Sequence, residues 1–253
     1  MPGRLAAIYR HPVKGFTPEQ LKEAELTAGG YFPCDRIYAV EDGPSPFDPA
    51  APAFVRKHAF TVLAKLPDAA RARTRYDEET ATLSVEAEGR PPLNARLDRP
   101  DGRRAFERWL TDLLGERSGP LKVVCAPGHR FTDHPQGFVS ILNLESLRDL
   151  GRRIGRPVDP LRFRANLHVE GWPAWAELEA VGAGVRIGGA ELEVFKPIVR
   201  CAATEVNPAS AERDLEVPNA LFDHYGHVLC GVYASVLAGG RVAQGDPAEL
   251  APA

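Results

Sequence analysis

Short stretches of alternating apolar and polar residues, broken by glycine and proline, run through most of the 253-residue chain. RLAAIYRHPVKG opens with an apolar strand, Leu5 to Tyr9, stopped by Pro12 and Gly15. EAELTAGGYFPCDRIYAVED reads as two strands joined by Gly29-Gly30, the second running from Arg36 to Val40 and rich in aromatic and β-branched residues. GPSPFDPAAPAF, residues 43–54, carries too much proline for a helix or a central strand. ARARTRYDEETATLSVEAE alternates on both sides of a polar turn, the pattern of a hairpin.

Two segments break from this rhythm. In DGRRAFERWLTDLLGE the apolar positions Phe106, Trp109, Leu110, Leu113 and Leu114 form one helical stripe, with Asp101 as the expected N-cap and Gly115 as the stop. In LNLESLRDLGRRIG, Asn143 is placed to cap a helix whose stripe is Leu144, Leu147, Leu150 and Ile154, closed by Gly155. VPNALFDHYG, 217–226, fits a further short helix. From Leu161 onward strands dominate again in RFRANLHVEG, GVRIGGAELEVF, RCAATEVN and CGVYASVLAGGRVAQGD, with Gly188-Gly189 and Gly239-Gly240 at hairpin positions. Many short strands and few helices predict a β-dominated α+β protein built on a closed or sandwiched antiparallel sheet.

Composition leaves this picture intact and narrows the function classes. Apolar residues make up 44% and charged residues 26%, ordinary for a globular protein. A net charge of −3 offers no footprint for nucleic acid. No apolar run approaches a membrane span, and the start has no apolar core of signal-peptide length, so the expected partners exclude membranes and the expected location is cytoplasmic. The four cysteines, Cys34, Cys125, Cys201 and Cys230, lie far apart with no C-x-x-C pair, against a zinc knuckle and in keeping with reduced thiols. His224, His227 and Cys230 cluster in DHYGHVLCG, but Gly226 breaks the spacing that a helical zinc site would need.

VRCAATEV, 199–206, places Cys201 directly after Arg200. A thiolate is a soft metal ligand and a strong nucleophile, and nearby positive charge makes it available. By residue type alone a free cysteine in a strand is more often an inert hydrophobe, and Lys14, Arg36 and Arg164 are solvated charges or strand-edge gatekeepers.

Four segments in order change that weighting: HPVKG near the start, Asp35-Arg36, RFRANLHVEG at 162–171 and RCAATEVNP at 200–208. Together they resemble the MOSC family, named for the C-terminal domain of molybdenum cofactor sulfurase. The pattern is similar to bacterial members with an N-terminal β-barrel region and to the branch that includes the mitochondrial amidoxime reducing component. The resemblance runs from about Leu5 to Asp246. It implies an N-terminal β-rich region over residues 1–118 and a MOSC β-barrel over 119–253.

The resemblance also implies a site. Cys201 matches the family's cysteine, which ligates molybdenum in the reductase branch and carries a persulfide in the sulfurase branch. Lys14, Arg36 and Arg164 match residues that hold the molybdopterin cofactor and its phosphate. Asn166 and Asn207 fall within matched motifs, and Asn143 sits where the reductase branch has a hydroxyl residue near the pterin. The implied activity is molybdenum-dependent reduction of small N-oxygenated substrates, with electrons from an external donor protein because no ferredoxin module follows in this sequence. The alternative is a sulfur or cofactor carrier without turnover, and the sulfurase branch associates the fold with pyridoxal phosphate binding. Two departures bear on specificity: Gly15 stands where serine often follows the lysine, and VRKHAF, 55–60, replaces the reductase branch's TARQ-like segment.

Overall fold

Strand β1 (Pro2–Arg10) is followed by β2 (Glu19–Leu21), β3 (Glu23–Leu26), β4 (Ala39–Asp42), β5 (Arg73–Asp77), β6 (Thr82–Glu86) and β7 (Leu93–Arg96), then by helix α1 (Pro100–Leu114) and β8 (Leu121–Val124). The second half holds β9 (Val139–Asn143), α2 (Leu144–Ile154), β10 (Leu167–Glu170), α3 (Ala176–Glu179), β11 (Gly184–Ile187), β12 (Ala190–Val199), α4 (Val217–Tyr225), β13 (Leu229–Ala238), β14 (Gly240–Ala243) and β15 (Pro247–Leu250). The computed structural model describes residues 1–136 and 138–251.

Seven strands close a barrel in the order β10-β9-β13-β12-β11-β15-β1, with β1 returning to β10 and β2 added alongside β1. All neighbours are antiparallel except β9 and β10, whose parallel pairing follows from the crossover through α2. Alternation drives closure. In β12 the side chains of Ala190, Leu192 and Val194 turn inward while Glu191 and Glu193 face water. Inside, Leu5, Ile8, Ile141, Val169, Val194 and Val232 are fully packed, so a ligand has room only at the barrel's end, among the connecting loops.

The first half adds its own layer. The β5-β6-β7 meander packs Leu83, Val85 and Leu97 against Phe106 and Leu110 of α1. The halves interleave: β1 completes the barrel of the second half, and β8 pairs with β4 of the first. The barrel expected over residues 119–253 is therefore completed from outside that range, its closing strand coming from the N-terminus.

Both helices lie where the apolar stripes predict. α2 is capped by Asn143, whose side chain accepts from Glu145 N at 3.1 Å, and it ends on Gly155 in the left-handed region. α1 corrects one detail: Arg99 is the N-cap and Pro100 opens the helix, leaving Asp101 inside the first turn, where its charge still suits the helix N-terminus. Two further corrections arise at left-handed residues, Arg36 and Arg164, which alternation cannot register, and the others from pairing and turn formation. The strand expected at Arg36–Val40 starts at Ala39, because Arg36 sits at φ 50°. β3 pairs with β14 rather than with β4, and so β14 leaves β13 instead of folding back on it at Gly239-Gly240. RFRANLHVEG becomes a strand only at Leu167, behind a 3-10 turn over Pro160–Phe163 and Arg164 at φ 54°. RCAATEVN is a 3-10 turn over Ala202–Glu205, not a strand. Among the described residues no helix is long and apolar enough to cross a membrane.

Asn143 joins the α2 cap to a buried carboxyl: its Nδ2 donates to Glu177 Oε2 at 2.9 Å, and Ser146 Oγ donates to Glu177 Oε1 at 2.9 Å. Removing it deletes a cap and strips a donor from a buried acid. Asn143→Ala is expected to destabilise the protein by about 2–3 kcal/mol in urea or guanidinium titration, whereas Asn143→Asp, which keeps the cap but faces Glu177 with a second acid, recovers only part of that.

Candidate functional site

At the end of the barrel, loops from both halves enclose a cavity of about 520 Å³. Lys14 follows β1, Arg36 lies in the turn before β4, Lys57 belongs to a 3-10 turn over Lys57–Ala59, Arg164 follows the turn after α2, and Arg200 and Cys201 end the run of β12. Four of the residues expected from sequence, Lys14, Arg36, Arg164 and Cys201, therefore meet in one place. The three asparagines do not. Asn143 caps α2; Asn166 is buried behind the wall, where its Oδ1 accepts from Ser140 Oγ at 2.7 Å and its Nδ2 donates to Tyr9 O at 3.2 Å; Asn207 donates to Asp214 Oδ2 at 2.8 Å and orders its own turn. Their side chains are spent on the scaffold.

The inner wall is a cluster of buried positive charge. Lys14 Nζ donates to Phe131 O at 2.9 Å and pairs with Asp133. Burial pulls the Lys14 pKa below its usual value, opposed by Asp133. Burial alone would raise the Asp133 carboxyl, but Lys14, Arg36 and Lys57 outweigh it and hold it below the usual range. Arg36 pairs with Asp35 and donates from Nη2 to Arg164 O at 3.0 Å. Arg164 donates from Nη1 to Phe16 O at 2.5 Å. Burial, together with the Arg36 charge, pushes the Arg164 guanidinium down to about 9, still cationic at neutral pH. Arg200 donates from Nε to Cys230 O at 2.7 Å and from Nη1 to Phe163 O at 2.8 Å. One nitrogen on each remains unmet: Nη2 of Arg164 and Nη2 of Arg200 are buried with no hydrogen-bond partner among the described residues. Buried donors of this kind call for an acceptor, and guanidinium forks in a cavity wall suit a phosphate.

Of the four cysteines only Cys201 lines the cavity. It is half-buried, and Lys57 Nζ donates to its Sγ across 3.0 Å. Burial pulls the Lys57 pKa down, yet the hydrogen bond to Cys201 together with the Asp133 charge outweighs it, and the net shift is upward. Cys230 is fully buried in β13, and burial drives its thiol pKa far up. Cys34 is pushed up to about 11 by burial and by Glu78. Among the described residues no group of three or more His, Cys, Asp or Glu could hold a metal, so the His224, His227 and Cys230 cluster is not a metal site.

Among the cavity residues not assigned to the site from sequence are Arg200, Lys57 and Asp133. Arg200 alternates away from Cys201 on an ideal strand, but the chain leaves the sheet at Val199 and both side chains reach the cavity. Lys57 lies in the VRKHAF segment that departs from the reductase pattern, which was its only signal. Asp133 had none. Gly15 has a backbone reason: it sits at φ +88°, and a Cβ there would lie 2.2 Å from Thr61 O. A serine hydroxyl is thus excluded where the backbone itself forms the wall.

A closed barrel with a basic, thiol-bearing cavity at its mouth defines the class. The sequence matches the MOSC N-terminal beta barrel domain over residues 2–119 and the MOSC domain over residues 128–249, and the chain belongs to the MOSC domain family, which is associated with molybdenum-cofactor-binding proteins. Among solved structures, the YuaD protein from Bacillus subtilis aligns over 99% of this chain and 96% of its own, with 16% identity and a TM-score of 0.50, a likeness of fold. YiiM from Geobacillus stearothermophilus aligns over 46% of this chain and 54% of its own at 23% identity and a TM-score of 0.36. YiiM from Escherichia coli aligns over 46% and 55% at 23% identity and a TM-score of 0.34. No protein of curated function matches the sequence.

The buried cations also silence two histidines. Burial and the Arg164 charge push His11 down to about 3 despite Asp35 beside it, and burial with the Arg200 charge pushes His168 down to about 4. Each is neutral in the fold and titrates near 6.5 when unfolded, so the unfolded state gains protons first on acidification. Stability is therefore expected to fall as pH drops from about 6.5 to 5, by about 1–2 kcal/mol per histidine. Denaturant titrations across that window check this, and His168→Leu should remove about half of the slope.

Proposed function

We propose that the cavity holds a molybdopterin-type molybdenum cofactor and that the protein reduces small N-hydroxylated compounds. The observation that carries this reading is the meeting, in one cavity, of a half-buried cysteine thiol with the basic side chains of Lys14, Arg36, Arg164 and Arg200. Overall, the N–O bond of R–NHOH is cleaved, two electrons and two protons enter, and R–NH2 and water leave. When bound, the cofactor supplies the two-electron couple and a site for the departing oxygen.

The chain's own residues divide the remaining work. Cys201 offers the protein sulfur ligand, and Lys57 Nζ donates to its Sγ at 3.0 Å. Arg164 and Arg200 line the cavity and supply positive charge for the cofactor's phosphate. Arg36 and Lys14, each already paired with a carboxylate, contribute field and shape more than new hydrogen bonds. The backbone at Gly15 lets the group lie close against the wall. Electrons come from a separate donor protein.

Metal and pterin content of the purified protein, together with benzamidoxime reduction driven by reduced viologen, tests the proposal. Wild type is expected to hold about one molybdenum per chain and to turn over. Cys201→Ala should lose both metal and activity, while Cys230→Ala should lose only stability, on the order of 1–3 kcal/mol. Arg164→Ala removes a charge-assisted contact of about 1.5–3 kcal/mol and should weaken cofactor retention about 10- to 100-fold. Full molybdenum and activity in Cys201→Ala would overturn the reading. Cyanide-releasable sulfur without metal would replace it with the sulfur-carrier alternative.

A further inference from the structure

The cavity has more positive charge than a phosphate needs. Lys14, Arg36, Arg162, Arg164 and Arg200 stand in its inner wall, and Arg56, Lys57 and Lys196 stand nearer its mouth, against a single carboxylate, Asp133, among the described residues. The chain as a whole carries a net charge of −3, so this concentration is local. The inner group is accounted for by Asp35, Asp133, Asp214 and backbone carbonyls, plus the two open guanidinium nitrogens. Lys57 is engaged with Cys201. Arg56 and Lys196 are different: both are exposed, and neither has an ion-pair or hydrogen-bond partner among the described residues. They come from different elements, Arg56 from the loop before the Lys57 turn and Lys196 from strand β12, and line the same cavity.

The same cavity lining carries exposed apolar side chains: Phe54 is 42% and Val199 63% exposed. His134 and Tyr233 line the cavity with ring centroids 5.9 Å apart, and Phe195 packs against both, 5.7 Å from His134 and stacked at 6.0 Å on Tyr233. Burial and the Lys196 charge hold His134 below its usual pKa, so it meets a ligand as a neutral ring. An apolar slot flanked by unpaired cations is complementary to a flat apolar body that bears a negative group.

Resting on the function proposed above, we infer that Arg56 and Lys196 select anionic substrates: aromatic N-hydroxyl compounds that carry a carboxylate on the ring side remote from the N–O bond. The slot takes the ring, the N–O group points inward toward Cys201, and the carboxylate remains at the mouth between the two cations. A cation near 5 Å in water-like surroundings is worth close to 1 kcal/mol, so two give a preference of about 10-fold at low salt. The advantage decays with ionic strength because both groups are exposed.

Two matched probes test this with the molybdenum-loaded protein: benzamidoxime and 4-carboxybenzamidoxime. Calorimetric Kd values and steady-state kcat/KM values are measured at low and high salt, with molybdenum content recorded for each variant. The carboxylated probe is expected to bind about 10-fold more tightly at low salt, with the gap closing at 0.5 M salt. Arg56→Gln combined with Lys196→Gln should cut the preference to about 2-fold at unchanged molybdenum content, and Arg56→Glu with Lys196→Glu should invert it. Equal binding of the two probes by wild type overturns the inference, as does loss of molybdenum in the double glutamine variant, which would assign these cations to the cofactor. If neither probe is turned over but the carboxylated one still binds in an Arg56- and Lys196-dependent way, the reaction falls and the anion-selective mouth stands.

Discussion

Burying positive charge is the constraint on which this structure turns. A guanidinium or ammonium removed from water costs several kcal/mol unless its donors are met. Lys14, Arg36, Arg164 and Arg200 are met mostly by main-chain carbonyls, those of Phe131, Arg164, Phe16, Cys230 and Phe163, with Asp35 and Asp133 as the counter-charges. Carbonyls can point at one spot from several directions only if the backbone bends out of regular structure there. Arg36 and Arg164 accordingly sit at φ 50° and 54°, conformations costly for residues with a Cβ. Gly231 makes the same accommodation inside β13: a Cβ there would lie 2.6 Å from Ile141 O and 3.1 Å from Arg200 Nη2. Strand ends, bulges and turns around the cavity thus answer to the charges they solvate.

That requirement also explains why the halves interleave. Lys14, Arg36 and Lys57 come from the first half, and Arg164, Arg200 and Cys201 from the second. A seam between two loosely docked units would admit water and let the unmet donors relax. Strand β1 prevents this by hydrogen bonding to both β10 and β15 before delivering Lys14. The β4–β8 pair locks from the other side, holding Arg36 against the loop that bears Asp133. The family's two domains adjoin in sequence near residues 119–128, but in space they share strands, and the cavity is built from what they share.

Sequence pattern revealed the parts of the fold that repeat. Phe106, Leu110 and Leu113 announce α1 because one helical face must be buried, and the Arg73–Glu86 hairpin alternates because one face of it is solvated. It failed where a left-handed residue turns the backbone, as at Arg36 and Arg164, and where a strand gives way to a 3-10 turn after Cys201, each of which continues an acceptable strand pattern on paper. For the site, the four charged or sulfur-bearing positions were legible only as a matched set in order. The asparagines carried two readings, and their contacts go to the scaffold: Asn143 makes the helix cap its position predicts, and Asn166 joins a buried network with Ser140. Asp133 and Lys57 reach the cavity through tertiary contacts that no local pattern encodes.

Cys201 and Cys230 show what leaving the sheet accomplishes. Both lie within reach of Arg200, which donates to the Cys230 carbonyl and precedes Cys201 in sequence. Cys230 stays in strand β13, fully buried, where desolvation keeps its thiol protonated and inert. Cys201 comes two residues after β12 ends, at the start of a 3-10 turn whose first bonds run from Thr204 N and Oγ1 to Cys201 O, each at 2.9 Å. Those bonds fix the carbonyl on one side and leave the sulfur facing the cavity beside the Lys57 ammonium. The two thiols are chemically identical, and the termination of one strand decides which of them is available for chemistry.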